Sequence, residues 1–152
     1  VAEQSSRGVR VGVDVGSVRV GVAASDPDGL LATPVVTLRR ERAGADLDAL
    51  AELIVEYGAV EIVVGLPRTL RGQDGKAVAA ARDYATRLTR TLERVGAPVP
   101  LVFVDERLTS VTANRQLAER GVRSRHRRSV VDQAAAVAIL QARLDALRTG
   151  VG

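Results

Sequence analysis

The sequence predicts an α/β fold: a five-stranded mixed sheet, three antiparallel strands followed by two parallel ones, flanked by helices. Three observations carry this reading. The first third of the chain is a series of β-branched runs separated by turns, the middle alternates helix-period with strand-period segments, and the last helix is apolar enough to be buried. In the first run, Gly12-Val13-Asp14-Val15-Gly16-Ser17 sets one acid in a strand between glycines. An ionised carboxylate there is costly unless something pairs with it. A place on the solvated face of an edge strand accounts for Asp14 as readily as chemistry does.

Residues 11–24 are two apolar, β-branched arms joined at Gly16-Ser17, the pattern of a β-hairpin. Ser25-Asp26-Pro27-Asp28-Gly29 is a turn by composition, and residues 30–38 form a third strand crossing back. Leu47, Leu50, Ala51 and Ile54 recur at helical spacing until Gly58 closes the element. Val60-Glu61-Ile62-Val63-Val64-Gly65 then reads as a buried parallel strand.

A glycine-rich loop follows, from Gly65-Leu66-Pro67-Arg68 to Gly72-Gln73-Asp74-Gly75, with Asp74 the expected N-cap of the next helix. Val78, Ala81, Ala85, Leu88, Leu92 and Val95 draw that helix's apolar stripe, and Gly96-Ala97-Pro98 ends it. Open α/β sheets bind ligands at the carboxyl ends of their parallel strands, which makes Arg68 and Arg71 in this loop candidate phosphate contacts. Residues 99–104 are a fifth strand running into Asp105-Glu106-Arg107. Side chains alternate along a strand, so only one of Asp105 and Glu106 shares the face of Asp14, and the pattern leaves the choice open. A helix over 109–120, capped by Thr109 or Ser110, comes next. The last helix begins near Ser129, with 134–140 apolar on every side. Asp132 then falls in its first turn, where Ser129-x-x-Asp132 reads as a capping box as well as it reads as chemistry.

Composition narrows the function. With no cysteine and a single histidine, His126, the chain has no disulfide, no thiolate site and no multi-histidine zinc site. No run of about 18 apolar residues occurs, and the first seven residues lack a signal-peptide core, so the expectation is a soluble, cytoplasmic protein without a membrane partner. The 152 residues make one domain, with 1–8 and 148–152 expected as flexible ends. Of the 22 basic residues all but Lys76 are arginine, and the net charge of +4 suits a polyanionic partner. Arg120, Arg123, Arg125, Arg127 and Arg128 cluster around His126 with no acid among them, a block for phosphates or else a solvated loop. The three aromatics, Tyr57, Tyr84 and Phe103, all fit core positions, which argues for recognition of backbone shape over stacking on bases.

Taken together these motifs resemble the ribonuclease H-like fold and, within it, the bacterial YqgF/RuvX family. The resemblance rests on the run from Gly12 to Ala23, Val64-Gly65-Leu66-Pro67 with Gly72 and Gly75, Asp105-Glu106-Arg107-Leu108-Thr109-Ser110, and the run from Val131 to Gln141, and it spans about residues 10–147. It implies a nuclease, described in the family both as a Holliday-junction resolvase homologue and as the enzyme that trims the 5′ end of pre-16S ribosomal RNA. It also implies Asp14, Glu106 and Asp132 as metal-binding, catalytic acids, choosing Glu106 over Asp105 by analogy, with Mg²⁺ or Mn²⁺ as cofactor. A phosphodiester is an anionic, poor electrophile, and carboxylate-held divalent ions answer that difficulty. Arg19, Arg68, Arg71, Arg107, Arg123, Arg125, Arg127 and Arg128 are the candidate nucleic-acid contacts, for precursor ribosomal RNA or branched DNA.

One position departs from the junction-resolving pattern. Those relatives carry a further acid or metal-binding residue one turn after the acid of the last helix, where this chain has Ala135. That weakens junction resolution, which also requires a homodimer to cut paired strands symmetrically, more than it weakens nuclease chemistry. A non-catalytic nucleic-acid-binding module is the competing reading. An actin-like ATPase, suggested by Asp14-Val15-Gly16-Ser17, needs two such domains to clamp a nucleotide.

Overall fold

In the computed structural model, residues 7–69, 71–111 and 125–150 are described, 125–130 by their backbone alone. The element order is β1 (Arg10–Val15), β2 (Arg19–Ser25), β3 (Ala32–Arg39), α1 (Ala45–Tyr57), β4 (Glu61–Leu66), α2 (Lys76–Arg94), β5 (Leu101–Asp105), a 3-10 turn (Glu106–Leu108) and α3 (Arg125–Arg148). One five-stranded sheet runs β3-β2-β1-β4-β5. Short turns give the antiparallel half, with Asp14 opposite Gly21. Helical crossovers give the parallel half, with Val13 beside Val64 and Gly65 beside Val104.

Strand alternation sorts the side chains onto two faces. Val11, Val13, Val20, Val22, Ile62 and Val64 pack against Leu50, Ile54, Tyr84 and Leu88 of α1 and α2. Ala23 and Val63 meet Ala136, Ile139 and Leu140 of α3 on the other face. Covered on both faces, β4 is buried at all six of its residues, which is why it reads as a continuous apolar run. Glycine lets α3 lie close to the sheet: a Cβ on Gly12 would stand 2.7 Å from Leu140 Cβ and 2.8 Å from the Ala136 carbonyl oxygen.

Several local expectations are corrected. The third strand starts at Ala32 rather than residue 30, because the Asp26 carboxylate accepts from the Leu30 and Leu31 N–H groups (2.9 and 2.8 Å) and holds both in the turn. The fifth strand starts at Leu101 rather than residue 99. Gly75, not Asp74, is the N-cap of α2; the Asp74 carboxylate is taken by the Arg68 guanidinium at 2.8 Å, a charge-assisted bond that outcompetes a cap. At the other end of α2, Val95 is exposed at the cap position and not part of the buried stripe. Tyr84 is core, but Tyr57 and Phe103 are 42% and 37% exposed, since Tyr57 ends its helix and Phe103 stands on an edge strand, where Arg82 stacks on its ring at 5.1 Å. The last helix begins at Arg125, ahead of Ser129, and Ala134 faces out from it. Most of the helix expected over 109–120 lies outside the described residues.

The hairpin turn is braced from behind. Arg40 donates to the Gly16 carbonyl at 3.3 Å and lies over the Tyr84 ring at 5.1 Å, while the Tyr84 hydroxyl donates to buried Asp46 at 2.9 Å. Burial, with Asp46 beside it, pushes the Tyr84 hydroxyl far above its usual range, so it stays a donor.

Candidate functional site

Asp14 sits one residue before the carboxyl end of β1, on the α3 face, and is 3% exposed. Its neighbours in the sheet on that face are both glycine. Gly21 is its antiparallel partner, and the β1–β4 register sets Gly65 on its other side. Each glycine makes room for one of the other two acids. A Cβ on Gly21 would overlap the Asp132 carbonyl group, so the backbone of α3 rests on β2 at this residue. A Cβ on Gly65 would meet Ile139 Cδ1 at 2.5 Å and Glu106 Cγ at 3.1 Å. The row Gly21, Asp14, Gly65 is thus a floor, with Asp132 over one end and Glu106 over the other.

The choice that alternation left open is resolved by where β5 stops. The strand ends at Asp105 and a 3-10 turn begins at Glu106, which is 3% exposed on the α3 side. Asp105 points to the loop after β4. It accepts from the Arg107 backbone N–H at 2.9 Å, pairs with the Arg107 guanidinium at 2.6 Å and stands 3.6 Å from that of Arg68. Hydrogen bonding from Arg107 holds the Asp105 carboxyl below the usual carboxylate range, and the effect on Arg107 is reciprocal. Gly72, at φ +79°, gives Arg107 its seat: a Cβ there would lie 3.0 Å from Nη1.

Asp132 is also placed differently from the capping reading. Because α3 is already helical at Arg125, seven residues before Asp132, its first turn carries no acid and Asp132 is interior to the helix. No cap role accounts for it. Its Oδ2 accepts from Arg19 Nε at 2.7 Å, with both side chains largely covered. Among the described residues, no three His, Cys, Asp or Glu side chains are gathered closely enough to hold a metal ion. Ala135, the departing position, is buried in the α3 core.

A cavity of about 590 Å³ opens at the carboxyl end of β1, lined by Asp14, Asp132, Ser17, Arg19, Pro67 and Lys76 among others. Lys76 is not among the residues that the sequence nominates; its signal there is that it is the only lysine and follows the glycine-rich loop. Of the candidate nucleic-acid contacts, Arg19 is at the cavity, Arg68 and Arg107 are committed to Asp74 and Asp105, and Arg71 is exposed on the loop. Arg123 lies outside the described residues, as do the side chains of Arg125, Arg127 and Arg128.

Comparison with known proteins follows the same lines. A family model described as "RuvX: Holliday junction resolvase" matches residues 8–146. A protein of Frankia casuarinae named "Putative pre-16S rRNA nuclease" is 64% identical over 141 residues, 92% of this chain and 68% of that one. One of the same name from Mycobacterium ulcerans is 55% identical over 148 residues, 97% of this chain and 85% of that one. Among solved structures, T. thermophilus RuvC in complex with a Holliday junction substrate superposes with a TM-score of 0.59 at 17% identity, covering 95% of this chain and 97% of that one. That likeness establishes the ribonuclease H-like fold. The chain belongs to the RuvX family.

Proposed function

We propose that this protein is a cytoplasmic, metal-dependent nuclease that hydrolyses phosphodiester bonds in 5′-end processing of precursor 16S ribosomal RNA, with Asp14, Glu106 and Asp132 as its metal-holding acids. The observation that carries the reading is the glycine-floored row: Asp14 lies between Gly21 and Gly65, and those two glycines are the positions over which Asp132 and Glu106 sit. Asp14 and Glu106 are both buried, and buried carboxylates gathered at the carboxyl end of a sheet are candidates for a functional site. The donors are hard oxygens, the chemistry Mg²⁺ and Mn²⁺ take, and because Mg²⁺ keeps several waters a few carboxylates suffice. Asp14, Glu106 and Asp132 would hold the ions, which would supply an activated water and charge stabilisation for the entering and leaving oxygens.

The chain's own residues supply the rest. Asp14 is fixed by β1, and Glu106 by the 3-10 turn that Asp105 caps. Arg19 and Lys76 put positive charge at the cavity mouth, where a phosphate needs it. The ribosomal RNA substrate is carried over from the names of relatives more than half identical to this chain.

Junction resolution is the second reading, favoured by the family model's description. Ala135 weighs against it, because its side chain belongs to the α3 core and offers no ligand. A cleavage assay on a 5′-extended ribosomal RNA and on a four-way junction, with Mg²⁺ or Mn²⁺, separates the two. The expected result is cleavage of the RNA without paired nicks in the junction, and a drop of about a thousandfold for Asp14→Asn at unchanged melting temperature, the several kcal/mol a metal site contributes. Full activity of Asp14→Asn would remove the assignment, and symmetric junction nicks would replace the substrate.

A further inference from the structure

We propose that the outward face of α2 is a second nucleic-acid contact, a track for the phosphodiester backbone leading from the acid cavity to a basic groove beside the start of α1. The proposal rests on the nuclease reading and extends it to how the strand is held. At about 100° per residue, Lys76, Ala80, Arg87, Arg90 and Arg94 fall on one side of α2. The upper end of that stripe is already at the site, since Lys76, Ala77 and Ala80 line the cavity with Asp14 and Asp132. Its lower end forms a separate groove of about 410 Å³, where Arg87, Arg90, Thr91 and Arg94 face Gly44, Leu47 and Asp48. At 1.5 Å per residue the stripe from Lys76 to Arg94 is about 27 Å long, enough for several nucleotides.

The three arginines differ from those at the two ends of the sheet. Arg10, Arg19, Arg68, Arg107 and Arg143 are each committed to a carboxylate. Arg87, Arg90 and Arg94 form no ion pair with any described residue, and the one hydrogen bond of Arg94 is a long one to Thr91 Oγ1, at 3.4 Å. Guanidinium groups along a concave wall match phosphate oxygens, which they grip in pairs. The groove has no aromatic lining, so it holds backbone and does not read bases. Asp48 on the groove wall and Asp83 midway along the stripe are the acids a bound strand would pass, and three arginines and a lysine outweigh them.

The test is RNA binding by fluorescence anisotropy, on the full chain carrying Asp14→Asn to prevent cleavage, with and without Arg87→Gln, Arg90→Gln and Arg94→Gln together. Single-stranded RNAs shorter than the track and long enough to span it are compared across salt concentrations. The triple variant should bind the long RNA about tenfold more weakly, with the slope of log K against log salt shallower by about 2, while the short RNA binds as before. Arg90→Gln alone, at an exposed position, should lower the slope by about 0.7 and guards against a folding defect in the triple variant. Equal long-RNA affinity and slope would overturn the track, as would an equal loss for short and long RNA. Retained RNA affinity with loss of a salt-sensitive self-association in sedimentation would assign the face to a second copy of the chain instead. The nuclease reading fails separately, if Asp14→Asn in the otherwise native chain cuts as well as the parent.

Discussion

At the amino-terminal ends of β1 and β4, one carboxylate sits between two guanidiniums. Glu61 accepts from Arg10 at 3.2 Å and from Arg143 of α3 at 2.9 and 3.0 Å, and all three side chains are buried or nearly so. At the carboxyl ends of the same strands, three acids from β1, the turn after β5 and α3 are arranged along a floor of glycine. Both ends tie α3 to the sheet, the lower one through Glu61 held between Arg10 and Arg143, the upper one through close backbone contact at Gly21 and the Arg19–Asp132 pair. At the lower end the carboxylate is shared by two guanidiniums in a covered cluster. At the upper end the Arg19–Asp132 pair is more exposed, and in the proposed site a divalent ion would take the place of the guanidinium. The lower end is therefore a structural clamp, and the upper end is where the proposed chemistry lies.

The sharpest way to break this contrast is Glu61→Gln. It leaves two guanidiniums largely buried around a neutral amide, and removing one partner of a buried ionic group costs about 3 kcal/mol. Denaturant unfolding should show that loss, while folded protein at low temperature should keep its full cleavage rate. A rate loss as deep as that of Asp14→Asn would mean that the lower end is not merely a clamp. In the native protein Glu61 raises the Arg143 guanidinium above its usual range, and in the variant both guanidiniums stay charged at any accessible pH, so pH does not relieve the strain.

Gly21→Ala tests the upper end from the other side. Its new methyl group would overlap the Asp132 carbonyl group, and the neighbour is backbone, which cannot swing away. Overpacking of this kind costs about 1–3 kcal/mol. Because the atoms displaced are those of Asp132, cleavage should fall by about tenfold or more even where the variant is fully folded, as measured below its melting transition. A variant that is destabilised yet fully active would show that the position of α3 over β2 does not matter for the site.

How much of this could be read from the sequence follows from which forces are local. The strand meander, the parallel strand read over 60–65 and found at Glu61–Leu66, and the capping glycine after α1 are legible because turn residues and β-branched runs act over a few positions. Asp14, Glu106 and Asp132 could be nominated only by resemblance, and the row that relates them depends on strand register, which no local pattern states. Asp74 looks like a cap in the sequence because its competitor, Arg68, lies six residues away across a loop. The start of α3 looks like Ser129 because that residue offers a strong capping signal while arginine and histidine at 125–128 offer none, although arginine is a good helix former. The difference matters most at Asp132, for which the shorter helix supplies a structural explanation that the longer helix removes. Lys76 and Arg40 stayed hidden because their roles, at the cavity and under the hairpin turn, arise only when α2 packs on the sheet.

The smallest expected effect concerns the cation at Asp132. Arg19 holds that carboxylate at 2.7 Å, with side chains 28% and 21% exposed, so the pair is partly solvated and its worth modest. In the proposed site Asp132 serves a divalent ion, so the guanidinium and the ion compete for the same oxygens. Arg19→Ala should therefore tighten Mg²⁺ or Mn²⁺ binding by about two- to fivefold in calorimetry without nucleic acid, the range that a partly exposed pair is worth. The same substitution should weaken nucleic-acid binding, since Arg19 lines the cavity where the phosphate would lie. Unchanged metal affinity would mean that Asp132 is not a ligand and that its pairing with Arg19 is as structural as the clamp at Glu61.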